Sequence, residues 1–288
     1  MGYLKIGKAT DLSGRDRKFY RVLEIFPGFL SWGTLLVLFV FSYFKPVWVA
    51  YFIIAFDVYW LLLVFFLGIH LFVSYRKLKA NVKIDWAEKC RGLPLTVIST
   101  PGGEKKFSWE DIIHLVILPT YNEGLDIIRP TIEGLVKDGY PTDKMIVVLA
   151  VEERGGSAAK ERAEAIKKEL ASLFKIFLIT VHPEGIAGEL KGKGANQAWA
   201  GRQVKKEIID KENLDYDKIL VSVFDIDTVV EPGYFFCFTH AFLTAPNPYR
   251  ASYQPIPVYH NNIWQAPFFA RVAASSNTFW QMMQQIRQ

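Results

Sequence analysis

The sequence predicts an α/β protein in which a hairpin of two transmembrane helices precedes a mostly parallel sheet flanked by helices. Two observations support this fold class. Residues 27–75 contain only two formal charges, Lys45 and Asp57, although 22% of the 288-residue chain is charged. Beyond residue 110, short runs rich in Val, Ile and Leu alternate with helical stretches, and this order is typical of right-handed strand–helix–strand crossovers.

The net charge of +5 is divided unevenly along the chain. Residues 1–83 hold eleven Lys and Arg against four Asp and Glu, whereas residues 84–288 hold 23 against 25. A nucleic-acid-binding protein carries its basic patch on the folded domain, so this distribution argues against a nucleic-acid partner. Cys90 and Cys237 lie far apart without metal-ligand spacing, which argues against a disulfide scaffold and a structural zinc site.

Lys45 and Pro46 divide the apolar run into two predicted helices joined by a tight turn. Pro27–Phe44 would span about 27 Å at about 1.5 Å per residue, just enough for the hydrocarbon core of a bilayer. Pro46–Tyr75 is long enough to cross and extend further. Buried helices of a soluble protein would show a polar face, and a cleaved signal peptide would be followed by a small-residue cleavage pattern. We therefore expect a membrane hairpin.

Basic residues flank the hairpin on both sides, so the positive-inside rule predicts that both termini are cytoplasmic. These residues are Lys5, Lys8, Arg15, Arg17, Lys18, Arg21, Arg76, Lys77, Lys79 and Lys83. The prediction is a multi-pass protein of the plasma membrane. It has a basic N-terminus (1–26), the hairpin (27–75), a juxtamembrane connection (76–110) that is expected to be irregular over residues 84–110, and a cytoplasmic domain (111–288).

Asp57 would lie close to the bilayer centre, about 17 Å beyond the turn at the helical rise. Intramembrane carboxylates are costly and often functional. Two interpretations stay open, a protonated or partnered Asp57 that fixes helix packing, and a transport function. The first is preferred because a transporter normally has more than two spans.

The cytoplasmic part contains four predicted strands and three predicted helices. The strands are Ile113–Leu118, Lys144–Val151, Lys175–His182 and Lys218–Phe224, and the helices are Leu125–Lys137, Ser157–Phe174 and Ala195–Lys211. The strands are apolar and bounded by charged or turn residues, as buried parallel strands are. Near the C-terminus, Phe279–Gln288 is expected to be helical. Two interpretations stay open for Tyr253, Trp264 and Trp280, stacking on a ligand ring and packing in the core, and core packing is preferred.

A polar cluster follows each predicted strand at its carboxyl end, where open parallel sheets bind ligands. The clusters are Pro119–Glu123, Glu152–Arg154, His182–Gly185 continuing to Lys191–Asn196, and Asp225–Asp227. Any single cluster is equally consistent with a solvated loop. Because four of them are predicted at one sheet edge, we expect a binding site there.

Asp225 and Asp227 give the sharpest signal among these clusters. Their spacing in extended backbone places both side chains on one side, at the end of a rigid apolar strand. Mg²⁺ and Mn²⁺ take one or two carboxylates and complete their shell with water and phosphate oxygens. A solvated turn is the alternative, because Asp-x-Asp also occurs by chance.

The glycine- and lysine-rich segment Lys191–Gly194 matches neither the phosphate-binding P-loop nor the dinucleotide fingerprint. It lacks the leading glycine of the first, and Gln197 occupies the third glycine position of the second. What it predicts is a basic loop entering a helix at Ala195, whose lysines and helix N-terminus could meet a diphosphate. A solvated turn again remains open.

The ordered set of Leu115–Glu123, Lys191–Asn196 and Leu220–Gly233 resembles the family-2 glycosyltransferases, membrane-associated enzymes that use nucleotide sugars. The resemblance covers about residues 112–260. With a hairpin ahead of the cytoplasmic domain, the chain looks like the cellulose-synthase-like branch of polysaccharide biosynthesis. This implies a GT-A-like fold and inverting, metal-dependent hexosyl transfer. The donor would be a nucleotide-diphosphate sugar, a UDP-sugar being favoured. The acceptor stays open between a lipid-linked carrier, a growing polysaccharide and a lipid headgroup.

The resemblance also implies which residues form the nucleotide-sugar site. They would be Pro119, Thr120, Tyr121, Glu123, Glu152, Glu153, Lys191, Lys193, Gly194, Asn196 and Asp225. Thr120, Tyr121 and Glu123 would line the nucleoside pocket. Lys193 and Gly194 would contact the base or the diphosphate.

By the same resemblance, Asp225 and Asp227 would hold the diphosphate through Mg²⁺ or Mn²⁺. The chain departs from the family pattern after its second strand, where many members have aspartates and this chain has Glu152 and Glu153. A glutamate there is still able to accept a hydrogen bond from the base.

A second departure concerns the general base, which in the family lies in an acidic motif well beyond the aspartate pair. The 61 residues after Asp227 contain no Asp and a single Glu, Glu231. We therefore expect the base to lie beyond Gln288 and the chain to be an N-terminal fragment. The alternative function is a membrane-anchored nucleotide-sugar-binding module without catalysis.

Overall fold

The computed structural model of the protein describes residues 9–100, 102–186, 189–259 and 263–285. The chain divides into two compact units. The first is Asp85–Ala251, and the second is Ala9–Ile84 together with the segment that starts at Ser252. Lys5, Lys8 and Gln288, which enter the sequence predictions, lie outside the described residues.

The described residues form eight α-helices and six strands, joined by short 3-10 turns and, after α6, by a π-helical turn. In chain order they are α1 (Gly14–Phe44), α2 (Pro46–Asn81), α3 (Trp86–Arg91), β1 (Thr96–Thr100), β2 (Gly103–Phe107), β3 (Ile113–Thr120), α4 (Leu125–Lys137), β4 (Met145–Glu152), α5 (Gly156–Leu170), β5 (Ile176–His182), α6 (Lys193–Val204), β6 (Ile219–Val223), α7 (Tyr234–Thr244) and α8 (Phe268–Gln285).

Helices α1 and α2 form the predicted hairpin, and each is long and apolar enough to cross a membrane by length and composition. The tight turn is confirmed at Lys45, whose backbone N–H donates to the Phe41 carbonyl at 2.7 Å. Pro46 follows as the first residue of α2, where a missing N–H costs nothing. Helix α1 begins at Gly14 and contains Pro27, so half of the predicted N-terminal region is helical.

The prediction of an irregular segment before the sheet is wrong. Helix α3 and the antiparallel hairpin β1–β2 occupy this region and belong to the unit Asp85–Ala251. The Asp85 side chain caps α3 by accepting the Glu88 N–H at 2.9 Å, and the buried Cys90 thiol donates to the Phe236 carbonyl at 3.2 Å. A single-turn helix and a mostly charged strand carry too little hydrophobic periodicity to be recognised from sequence. The unit therefore starts earlier than the predicted domain boundary.

The four predicted strands form one parallel sheet in the order β5-β4-β3-β6, which confirms the predicted fold class. Helices α4 and α5 cover one face and α6 covers the other. Along the chain the strands proceed from β3 to β5 on one side, and β6 then returns to the opposite side of β3. A parallel sheet opens a ligand crevice where its strand order reverses. Here that point lies between β3 and β6.

Asp138 follows α4 and holds the start of α7 from a buried position. Its carboxylate accepts the backbone N–H groups of Tyr140 and Phe235, each at 3.2 Å, and its carbonyl accepts the Gly233 N–H at 2.8 Å. Burial raises the pKa of Asp138 to about 6, although these N–H groups act in the opposite direction.

The raised pKa of Asp138 predicts a stability that falls as pH rises. Its pKa in the unfolded chain is about 4, so between about pH 4 and pH 6 the folded state binds more protons than the unfolded state. Across this window the Asp138 contribution to the free energy of unfolding should fall by up to about 3 kcal/mol. Urea-unfolding midpoints of the detergent-solubilised chain, measured against pH, should lose this slope in Asp138→Asn. Parallel profiles for the two proteins would contradict the prediction.

Helix α8 confirms the predicted C-terminal helix through Gln285, but the prediction that Trp264 and Trp280 pack in the core is wrong. Trp264 is 85% exposed and Trp280 is 49% exposed, whereas Tyr253 is partly buried. Aromatic content alone does not say whether water, lipid or protein surrounds a side chain, so the sequence did not distinguish these environments.

Candidate functional site

The carboxyl ends of the four parallel strands meet at one edge of the sheet. Thr120 of β3 pairs in register with Val151, and Glu152 of β4 pairs with His182 of β5. The chain stays beside β3 for one residue after β6 ends, because the Phe224 N–H donates to the Ile117 carbonyl at 3.2 Å. The polar residues that end or follow each strand are therefore brought to a common edge.

The turn after β3 is organised by the carboxylate of Glu123. This group accepts the Thr120 hydroxyl at 2.8 Å and the Tyr121 N–H at 2.7 Å. Burial acts to raise the pKa of Glu123, but the hydrogen bonds outweigh it and the pKa is lowered. Pro119 and Thr120 are buried as the last residues of the strand, and Tyr121 is exposed. Among these residues, the Tyr121 ring is thus the side chain that is accessible to a ligand.

Arg154 links the turn after β3 to the end of β4. Its guanidinium forms an ion pair with Glu152 and lies over the Tyr121 ring, 5.1 Å from the centroid. Glu153 accepts the Glu184 N–H at 2.9 Å and thereby connects the end of β4 to the loop after β5. Both glutamates predicted at this site are therefore already engaged in holding the loops around the sheet edge.

Asp225 and Asp227 lie just beyond β6. Both aspartates are exposed, and Ile226 between them is buried. Helix α4 holds this segment, because the buried Thr131 hydroxyl donates to the Ile226 carbonyl at 2.5 Å. One turn further along, Gly134 leaves room for Val229, whose Cγ1 would be 3.0 Å from an added Cβ. The sheet and α4 thus present the two aspartates on a fixed support.

Lys193 forms an ion pair with Asp225, which joins the start of α6 to the aspartate segment. The next residue, Gly194, faces open space, since nothing lies within 4 Å of an added Cβ. Asn196 is buried, and its side-chain amide donates to the Ala150 carbonyl at 2.7 Å. Lys193 therefore reaches the aspartate segment and Gly194 is exposed, whereas Asn196 anchors α6 to β4.

A cavity of about 550 Å³ opens between the ends of β4 and β5 and the loop that leads to α6. His182 and Glu189 are 3.0 Å apart on its wall, and Lys191 pairs with Glu184 at 2.8 Å. The Trp199 ring packs edge-on against His182 with centroids 5.8 Å apart. Small-molecule sites commonly have about this volume.

The residues present are suited to a divalent cation only in part. Among the described residues, no group of three or more His, Cys, Asp and Glu side chains could hold a metal. Asp225 and Asp227 supply two exposed carboxylates, and Mg²⁺ commonly takes one or two carboxylates together with substrate phosphates and water. The site thus fits a cation that arrives with a phosphate ligand.

Arg154 and His182 belong to the polar clusters predicted from the sequence, but no role was predicted for either, and Glu189 was not predicted at all. His182 is the last residue of β5 and lies in register with Glu152, which brings it to the sheet edge. The contacts of Arg154 with Tyr121 and of Glu189 with His182 leave no signal in the sequence.

Gly155 provides a steric test of the turn after β3. An added Cβ would lie 2.6 Å from the Tyr121 carbonyl oxygen and 2.7 Å from the Ala159 Cβ. Gly155→Ala should therefore displace the Tyr121 backbone, lower the free energy of unfolding by about 1–3 kcal/mol and weaken nucleotide binding. Titration calorimetry and urea unfolding check both effects.

The control for this substitution is Gly201→Ala in α6, where nothing lies within 4 Å of the new Cβ. It should leave nucleotide affinity unchanged and slightly favour the helix. If Gly155→Ala and Gly201→Ala had the same free energy of unfolding and the same nucleotide affinity, the Tyr121 backbone would not constrain position 155.

No protein-family model matches the chain, and no curated protein matches it. Among solved structures, the chain is similar to a mannosyltransferase from Pyrobaculum calidifontis in complex with GDP-Man and Mn²⁺. The two share 16% sequence identity with a TM-score of 0.33, and the match covers 62% of this chain. The chain spans 45% of the length of that mannosyltransferase.

Proposed function

We propose that the protein is a membrane-anchored glycosyltransferase that binds a nucleotide-diphosphate sugar at the carboxyl edge of its sheet. The observation that carries the proposal is the aspartate pair at the point where the strand order reverses, next to Lys193. Support comes from two carboxylates and a lysine at the edge where parallel sheets bind ligands, and from the cavity at the ends of β4 and β5 on the same edge. The narrower proposal, from the sequence motifs, is a family-2 enzyme of the cellulose-synthase-like branch.

In this proposal the diphosphate lies between Lys193 and the aspartate pair. The ammonium group of Lys193 exchanges Asp225 for phosphate oxygens when the donor binds. Asp225 and Asp227 would hold Mg²⁺ or Mn²⁺, which as a Lewis acid stabilises charge on the leaving diphosphate by several kcal/mol. Tyr121, backed by Arg154, offers a ring face on which the base stacks.

We further propose inverting transfer of a hexose, with a UDP-sugar as donor and a lipid-linked carrier or a polysaccharide as acceptor. A carboxylate must deprotonate the acceptor hydroxyl in such a reaction. Among the described residues after Asp227, Glu231 is the only carboxylate, and we assign the base to no residue.

The hairpin α1–α2 is proposed to anchor the protein in the plasma membrane with both termini in the cytoplasm. Its length and apolar composition support insertion. The basic residues on both flanks support the orientation, because Lys and Arg are enriched in cytoplasmic segments.

Titration calorimetry of the full chain in nanodiscs tests the donor site. UDP with Mn²⁺ should bind, and GDP should bind more weakly. Binding of UDP should weaken strongly when EDTA removes the cation, and uridine alone should bind poorly because it lacks the diphosphate. Equal affinity for UDP and uridine would contradict a diphosphate site.

The second candidate function is a nucleotide-sugar-binding module without catalysis. Release of UDP from a UDP-hexose in the presence of membrane lipid or oligosaccharide acceptors distinguishes the two functions. Acceptor-dependent turnover would support the enzyme. Tight metal-dependent binding without turnover would support the binding module.

A further inference from the structure

Helix α8 carries an exposed aromatic surface that the nucleotide-sugar site does not explain. The residues of this surface, here called the outer face of α8, are Phe268, Phe269, Val272, Phe279 and Trp280. Their spacing places them on one side of the helix. Phe269 is 83% exposed and Phe268 is 64% exposed.

The opposite side of α8 is already occupied. Thr278 and Met282 are buried, and α8 packs against α2 within the same unit. The helix therefore has one face on protein and a second apolar face that the described residues leave exposed. A contiguous apolar patch of this kind marks a site of interaction with protein or membrane.

The position of α8 along α2 favours lipid as the partner. Partly or fully buried side chains recur on the second half of α2 at Leu63, Leu67, Leu71 and Ser74, whereas residues 18–32 of α1 are exposed. Because this part of α1 is exposed, it does not cover the four α2 residues, and we infer that α8 covers them. About 20 helical residues cross the hydrocarbon core, so α2, which starts at the turn, leaves the core near residue 65. Helix α8 thus meets α2 at the membrane interface.

The amino-acid composition of α8 agrees with a position at the membrane interface. From Val272 to Gln285 the helix carries no formal charge, so it offers no ion pairs to a protein partner. Trp and Phe are the side chains enriched where a protein meets the lipid headgroups. The α2 residues Ile69 and Phe72, in the same unit, are also apolar and exposed.

We propose that the outer face of α8 is a lipid-contacting surface, so that the chain touches the membrane through a third helix in addition to the hairpin. This inference rests on the membrane anchoring proposed above. It goes beyond that proposal because it assigns membrane contact to a segment that follows the sheet in the chain.

Nitroxide labels on single cysteines test the proposal in the full chain, reconstituted in bilayers of phosphatidylcholine and phosphatidylglycerol. The native thiols are removed by Cys90→Ala and Cys237→Ala, and the label is placed by Phe269→Cys, Val272→Cys or Trp280→Cys. Collision rates with oxygen, which partitions into lipid, and with a water-soluble nickel complex then report the surroundings of each label.

Two labelled positions serve as references, Ile54→Cys in α2 for lipid and the exposed Lys160→Cys in α5 for water. The oxygen-to-nickel ratio at the α8 positions should be severalfold above that of position 160 and approach that of position 54. Ratios equal to the water reference, with position 54 still in lipid, would overturn the proposal for α8 alone. An aqueous signal at position 54 would instead overturn the membrane anchor.

Strong dipolar coupling between labels on two copies would also overturn the proposal, because a second copy would then cover the outer face. If the labelled variants fail to fold, brominated lipids provide an independent readout through tryptophan fluorescence. Their quenching of the unlabelled chain should fall in Trp280→Phe, and unchanged quenching would count against lipid contact.

Discussion

Replacing both Asp225 and Asp227 by Asn should abolish the metal-dependent part of nucleotide-diphosphate binding. The substitution keeps the side-chain shape but removes the charges that would hold a divalent cation. Because such a cation contributes several kcal/mol of charge stabilisation, we expect an affinity loss on the order of 100-fold or more. Calorimetric titration of UDP in the presence of Mn²⁺ measures this loss.

The matched control removes two carboxylates elsewhere on the same unit. Glu161→Gln with Glu164→Gln, both on exposed positions of α5, changes the net charge equally and should leave the affinity unchanged. If the control loses as much affinity as the aspartate variant, the effect is general electrostatics and the site assignment is wrong. If neither loses affinity, the aspartates do not bind the ligand.

Lys193→Ala should change two affinities in opposite directions. In the ligand-free protein Lys193 pairs with Asp225, so its removal should strengthen binding of Mn²⁺ alone. A bound diphosphate would lose a charge-assisted hydrogen bond worth about 1.5–3 kcal/mol, so UDP affinity at saturating Mn²⁺ should fall about 10- to 100-fold. Electron paramagnetic resonance of free Mn²⁺ and calorimetry of UDP measure the two effects separately.

Lys191→Ala is the comparison variant, since Lys191 pairs with Glu184 at 2.8 Å rather than with an aspartate of the pair. It should leave the affinity for Mn²⁺ alone unchanged. A parallel loss of both affinities in Lys193→Ala would show that the substitution disturbs the fold of the loop, and would contradict the exchange of Asp225 for phosphate.

The parts of the fold that the sequence predicted are those with strong hydrophobic patterns. The bounds of α4 agree with the prediction, and β3 to β6 differ from it by one or two residues at their ends. The segment Trp86–Phe107 was missed because its stability comes from tertiary contacts such as the Cys90 thiol on the Phe236 carbonyl. Short elements of this kind are fixed by packing and not by local pattern.

For the candidate site, the sequence predicted which strand ends matter but not what each side chain contacts. Asp225 was recognisable because an acidic residue directly after an apolar strand is unusual. That Asn196 points into the protein toward Ala150 depends on the angle at which α6 crosses β4. Likewise, Arg154 reaches Tyr121 only because β3 and β4 are adjacent strands.

In the proposed donor site, a divalent cation would join the aspartate pair to a diphosphate at the carboxyl edge of the sheet. Phosphorus relaxation of UDP, measured by nuclear magnetic resonance with substoichiometric Mn²⁺ and the full chain in nanodiscs, detects a cation in this position. We expect strong broadening of both phosphate signals beyond that of Mn²⁺ and UDP without protein, and loss of this enhancement in the Asp225→Asn, Asp227→Asn variant. Equal broadening with the wild-type chain and with the variant would contradict the proposed donor site.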